Sequence, residues 1–276
     1  MAVFVLPRMI PGIDVSEVGV NVWTVANQKG GVGKTTTTVT LGALLAARGE
    51  PVLLIDMDPH ASLSSYFDLV PDKLPATLFD LLSTTRLTPK LIDDATHEVS
   101  QQLYLWPAAM ELATLDRQLG AREGLGLLLK QLLDKLDGLY GHVIIDCPPV
   151  LGVLMVNALA ACQRVLVPVQ TEFLAIKGLE RMLRTLGMME KSLKGKRDVT
   201  IVPTMFDRRT RASLEAVKEL RQEFGDQVWP GVVPVDTKFR DASRAHQPLP
   251  VLAPQARGVV AYQKLLEALL PAEVIV

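Results

Sequence analysis

Gln28-Lys29-Gly30-Gly31-Val32-Gly33-Lys34-Thr35-Thr36 is the stretch that decides how this chain is read. An apolar run, residues 21–27, leads into it and a segment of helical period, residues 34–48, leads out. Glycines at 30, 31 and 33 let backbone N–H groups wrap an anion with no side chain in the way, and the helix that follows adds the positive end of its dipole. Within such a turn Lys34 reaches the outer phosphates of a polyphosphate and the Thr35 hydroxyl faces a Mg²⁺ ion, while Gly30, Gly31, Val32, Gly33 and Thr36 complete the cradle. Two departures stand out. Gln28 occupies the place where such loops usually begin with glycine, and a second lysine, Lys29, comes early.

Working outward, two more apolar runs end in acids. Leu53-Leu54-Ile55-Asp56-Met57-Asp58-Pro59-His60 places two carboxylates at i and i+2. Asp56 suits a water of the Mg²⁺ shell, and Asp58 is free to orient or deprotonate an attacking water. His142-Val143-Ile144-Ile145-Asp146-Cys147-Pro148-Pro149 ends in Asp146, in a position to hold Mg²⁺ through water, before a stiff proline pair. Taken singly, a strand ending in Asp is more often a turn than a site; the three signals gain force as a set.

Apolar runs at residues 21–27, 52–57, 103–106, 142–147, 164–169, 199–204 and 228–233 alternate with helical patterns at 34–48, 123–136, 150–161, 172–190, 211–224 and 255–270. Several runs are nearly continuous in Val, Ile and Leu, as in strands covered on both faces. The expectation is a doubly wound α/β fold around a mostly parallel sheet, with ligands at the carboxyl ends of the strands. Residues 21–276 read as a single domain, and residues 1–20 as a short arm without regular pattern.

Composition narrows the function. Apolar residues are 49% and charged residues 21% of 276, ordinary globular usage, with 29 basic against 30 acidic side chains. A chain built to coat nucleic acid is usually basic overall, so any DNA contact is expected as a local patch. Cys147 and Cys162 are too few for a disulfide framework and lack metal-ligand spacing; they read as buried core in a reducing compartment. The stretch 147–163 is uncharged, but Pro148, Pro149 and Asn157 argue for a buried strand end and helix rather than a bilayer span. Without a targeting segment, a cytoplasmic protein with no membrane insertion is expected.

The loop KGGVGKTT, the DxDP turn and the strand ending in DCPP together resemble the ParA/MinD family of deviant-Walker ATPases. The resemblance runs from Val22 to Leu270 and includes PTMFDRRT at 203–210 and ARGVVAY at 256–262. It implies a slow ATPase, stimulated by a protein partner, that needs ATP and Mg²⁺ and closes into a homodimer when ATP is bound. Lys29, Lys34 and Asp58 are then the catalytic set: Lys29 crosses to the partner's nucleotide, Lys34 grips phosphate in its own subunit, and Asp58 positions water. Thr35, Asp56 and Asp146 serve the metal, and Met205, Pro234 and Asp236 lie against adenine. DPHASLSSYF, with His60 where most ParA proteins have Gln, and VVPVDTKFRDAS are similar to ParA-like proteins, often called ParC, linked to chemotaxis and flagellar genes. That similarity implies polar placement of chemotaxis arrays.

The alternative is a DNA-binding ParA ATPase that partitions plasmid or chromosome on the nucleoid. Residues 177–244 hold 15 basic against 10 acidic residues, leaving 14 against 20 elsewhere. Arg208, Arg209, Arg211, Lys238 and Arg240 are the candidate phosphate contacts, weighed against a plain set of solvated helix faces. Pro234-Val235-Asp236-Thr237-Lys238 stands where DNA-binding relatives commonly carry Pro-Arg-Asn-x-Arg, which favours the protein-recruiting reading. The end of the chain, residues 262–276, lacks the lysine-rich face of a membrane-surface helix.

Overall fold

A computed structural model of the chain describes residues 20–119, 125–136, 138–193 and 196–270. The expected arm falls almost wholly outside them. β1 (Asn21–Val25), β2 (Val52–Asp56), β4 (Leu103–Trp106), β5 (His142–Asp146), β6 (Arg164–Gln170) and β7 (Asp198–Thr204) run parallel, and β3 (His97–Ser100) joins the edge antiparallel. The order across the sheet is β3-β4-β2-β5-β1-β6-β7. β1 therefore lies between β5 and β6, and the chain leaves β1 toward the β2 side but leaves β5 toward the β6 side. That reversal opens a crevice at the carboxyl ends of β1, β2 and β5, where the three sequence signals emerge.

Strand periodicity explains the layering. Val22, Leu53, Ile55, Val143 and Ile145 face one core; Trp23, Leu54, Ile144 and Leu166 face the other. Helices α5 (Leu112–Leu119), α6 (Leu128–Leu133), α7 (Val153–Ala161) and α8 (Phe173–Leu193) follow the strands onto the first side. α1 (Lys34–Ala46) and the last helix (Arg257–Leu269) pack together on the second. Each fully buried Leu or Ile contributes about 1.5–3 kcal/mol of transfer free energy. Cys147 and Cys162 are buried and free, as expected.

The structure corrects three expectations. Residues 228–233 form no regular strand; they touch the β7 edge by isolated bridges, Ile201 with Val228 and Phe206 with Pro234. Pro230 has no N–H to donate, and Gly231 lies beneath the Trp229 indole, where an added Cβ would sit 2.3 Å from the ring. β3 was not anticipated, because its half-buried His97-Glu98-Val99-Ser100 carries a weak apolar signal. The expected helix at 123–136 is a 3-10 turn, Leu125–Leu127, followed by the short α6; residues 120–124 lie outside the described part. Between β2 and β3 run three short helices, α2 (Ser62–Tyr66), α3 (Leu78–Ser83) and α4 (Pro89–Ala95), below the length at which periodicity speaks.

Candidate functional site

β1 ends at Val25, and residues 26–33 turn back over the end of the sheet before α1 begins at Lys34. Gly31 (φ 75°) and Gly33 (φ 95°) hold left-handed backbone that other residues resist. At Gly30, Gly31 and Gly33 an added Cβ would meet nothing within 4 Å, so the hollow they line is open. Gly30 has neither positive φ nor a close neighbour, so the space it leaves is the reason for glycine there. The loop is tied down from several sides. Asn27 donates from Nδ2 to the Pro168 carbonyl (2.7 Å) and accepts the Lys29 amide (2.9 Å). Thr204 donates to the Val32 carbonyl (2.9 Å). Thr37 donates to the Gly33 carbonyl (2.8 Å) and contacts the Tyr262 hydroxyl (2.7 Å).

Strand register puts Asp56 directly beside Asp146. Both are buried, and two carboxylates in a dry crevice resist ionisation together. Burial pushes Asp56 up to about 6, although it accepts the Ser64 amide and hydroxyl (each 2.8 Å) and the Asp58 amide (3.1 Å). Burial first, then the neighbouring Asp56, push Asp146 up to about 8, against the Thr35 hydroxyl and the Lys34 ammonium. Thr35 donates to Asp146 Oδ2 (2.6 Å), while Asp146 Oδ1 is buried with no hydrogen-bond partner among the described residues. Asp58 is nearly buried and its Oδ1 accepts from both the His60 amide (3.0 Å) and His60 Nδ1 (2.9 Å).

These residues fit a hard cation held jointly with a phosphate. Mg²⁺ favours one or two carboxylates plus substrate oxygens over an all-protein cage, and no group of three or more His, Cys, Asp or Glu poised for a metal occurs among the described residues. Asp146 with its idle oxygen, and Thr35 beside it, are the donors to hand. Asp56 is occupied by Ser64 and Asp58, so its reach to a metal is through the field or a water.

Lys29 does not stand free: its ammonium is bound to Glu172 and lies 3.5 Å from Gln170 Oε1, both at the end of β6. The sequence reading passed over this acceptor pair, although Gln170-Thr171-Glu172 repeats the i, i+2 polar pattern of Asp56 and Asp58 at another strand end.

Three of the expected base-binding and DNA-binding positions line a cavity of about 760 Å³ beyond the end of β7. Pro234, Arg208 and Arg209 line it, with Trp229 and two cations the sequence reading did not name, Arg257 and Lys264. Met205 is partly exposed at φ 52° and does not line it. Asp236 is engaged elsewhere: after α9 (Arg211–Phe224), it accepts the Lys238 amide (3.1 Å) and the Gly258 amide (3.0 Å), fastening α10 (Lys238–Arg244) to the last helix, which follows α11 (Leu249–Leu252) and is α12. Arg209 is paired with Asp207 and Arg211 with Glu215, whereas Arg208, Lys238 and Arg240 form no side-chain ion pair among the described residues.

Comparison with known proteins agrees with this geometry. A family profile described as an AAA domain matches residues 20–200. The chromosome partitioning protein ParA of Caulobacter vibrioides is 36% identical over 255 residues, covering 91% of this chain and 94% of that protein. The chain belongs to the ParA family of P-loop ATPases. Soj of Bacillus subtilis, a sporulation initiation inhibitor protein, is 34% identical over 87% of this chain and 94% of its own. A crystal structure from Mycobacterium smegmatis, named cobyrinic acid a,c-diamide synthase and holding an ATP analogue with magnesium, superposes with a TM-score of 0.76. It shares 34% identity over 91% of this chain and 94% of that one. Among the described residues of this ParA-family chain, no helix is long and apolar enough to cross a membrane.

Proposed function

We propose that this chain is a Mg²⁺-dependent ATPase whose ATP-bound form pairs two copies and whose hydrolysis separates them, so that it acts as a slow positional switch. The observation that carries this reading is Asp146, buried beside Asp56 with one oxygen on Thr35 and the other idle, beneath a glycine loop that leaves an open hollow. The ATP analogue and magnesium of the mycobacterial structure support the same ligands here.

Lys34 holds the outer phosphates in its own subunit, and the loop amides with the α1 N-terminus hold the rest. Thr35 and Asp146 hold the metal, which when bound draws charge from the β- and γ-phosphates. Asp58 orients the attacking water. Lys29 leaves Glu172 to reach the partner's nucleotide, which links pairing to nucleotide state.

For the cargo, partition of a chromosome or plasmid through nonspecific DNA contact is supported by the similarity to the Caulobacter chromosome partitioning protein and by the cations around the β7 cavity. Polar placement of chemotaxis arrays through a protein partner is supported by Val235 and Asp236, where an arginine is absent and an acid is added. A DNA-retention assay with ATP and Mg²⁺ across a salt series separates the two. The partition reading expects ATP-dependent retention that weakens steeply with salt and drops for Arg208→Ala and Lys238→Ala. An ATP-bound dimer that ignores DNA even at low salt sinks that reading and leaves the protein-recruiting switch.

A further inference from the structure

Beside the reacting centre stands a residue with no role in the reading so far. His60 follows the Asp-Met-Asp-Pro turn, and its backbone N–H (3.0 Å) and ring Nδ1 (2.9 Å) both meet one atom, Oδ1 of Asp58. Oδ2 of Asp58 has no hydrogen-bond partner among the described residues. The His60 side chain is 83% exposed, so neither packing nor core burial accounts for its place; the Asp58 side chain is only 12% exposed.

We infer that His60 is a positioning residue for the water-orienting carboxylate: it clamps Asp58 Oδ1 and thereby leaves Oδ2 aimed at the attacking water. The inference rests on the reading of Asp58 proposed above. The terminal torsion of an aspartate is broad and nearly two-fold, so an unheld carboxylate samples many orientations. Two donors converging on one oxygen from a single residue select one of them. Donation to a carboxylate requires the hydrogen on Nδ1, which leaves Nε2 facing solvent. The backbone N–H survives any substitution except proline; the ring N–H does not, so the clamp is adjustable by side chain alone.

His60 also stands at the rim of an apolar cavity of about 360 Å³ lined by Met110, Pro148, Pro149, Val150 and Leu154, with Asp58 in its wall. The proline pair comes directly after Asp146 in the chain, so the clamp borders both acid-bearing strand ends.

The test is steady-state ATP hydrolysis by His60→Phe, His60→Gln and Asp58→Asn, each against wild type with saturating Mg²⁺. His60→Phe keeps a ring of similar size but no donor, and the exposed position spares the fold. The inference expects kcat to fall roughly tenfold with KM for ATP changed by less than about threefold, as for a misaimed group. His60→Gln, which returns an N–H donor, is expected to recover most of the loss. Wild-type kcat in His60→Phe, together with a large loss in Asp58→Asn, overturns the clamp and leaves Asp58 in place. Wild-type kcat in Asp58→Asn overturns the reading of Asp58 itself. Equal losses in His60→Phe and His60→Gln, despite the restored donor, also overturn the clamp.

Discussion

At the scale of single residues, the pairing of Asp56 with Asp146 has a thermodynamic consequence for the nucleotide-free chain. Both carboxyls ionise near the ordinary aspartate value of 3.8 when unfolded and higher when folded, about 6 and about 8. Between these limits the folded state binds more protons than the unfolded one, so stability falls as pH rises from about 4 to about 8. Chemical denaturation should therefore find Asp146→Asn more stable than wild type at pH 8, by at least about 1 kcal/mol, with the gain shrinking toward pH 4. The same variant should lose Mg²⁺-dependent ATP binding. Lys34→Ala should fold normally and bind ATP at least about 100-fold more weakly by calorimetry, since a charge contact to phosphate is removed where water is partly excluded. Lys34, Thr35, Asp56, Asp58 and Asp146 were all legible because acids and glycines interrupt apolar runs. Glu172, Ser64 and Arg257 were not. Ser64 reaches Asp56 from a short helix eight positions on, Arg257 meets the β7 cavity only through the packing of the last helix, and only folding brings Lys29 to Glu172, 143 positions on; spacing carries no signal for any of these.

At the scale of elements, the parallel core was legible because strands buried on both faces are written as unbroken Val, Ile and Leu. The failure at residues 228–233 is equally physical. That stretch is apolar, but Pro230 removes a donor and Gly231 admits the Trp229 ring, so only the ends reach β7 through the bonds from the Trp229 amide to the Ile201 carbonyl (2.9 Å) and from the Val233 amide to the Pro203 carbonyl (2.8 Å). Gly231→Ala forces the buried indole aside and should cost about 1–3 kcal/mol in urea denaturation, as an overpacked core does. Because Trp229 and Gly231 also line the β7 cavity, DNA retention should weaken in parallel if the partition reading holds. β3 escaped notice for the opposite reason: a polar edge strand has little apolar pattern to read.

At the scale of the whole molecule, four of the exposed apolar side chains lie on the edge that carries the phosphate loop. Met110 is 81% exposed and Leu174 72%, and Val150 and Phe173 also face out; they follow β4, β5 and β6, as the loop follows β1. A second copy closing over this edge would cover them and meet Lys29. On the proposed switch Lys29 gives up its ion pair with Glu172 to reach the partner's nucleotide, so Lys29→Ala is expected to bind ATP while staying monomeric. The central claim is that ATP closes two subunits and that Asp58-dependent hydrolysis opens them. Light scattering of Asp58→Ala with ATP and Mg²⁺ tests it most directly. A particle of twice the monomer mass that persists for as long as ATP is present is the predicted result, and a monomer under saturating ATP and Mg²⁺ would contradict the account.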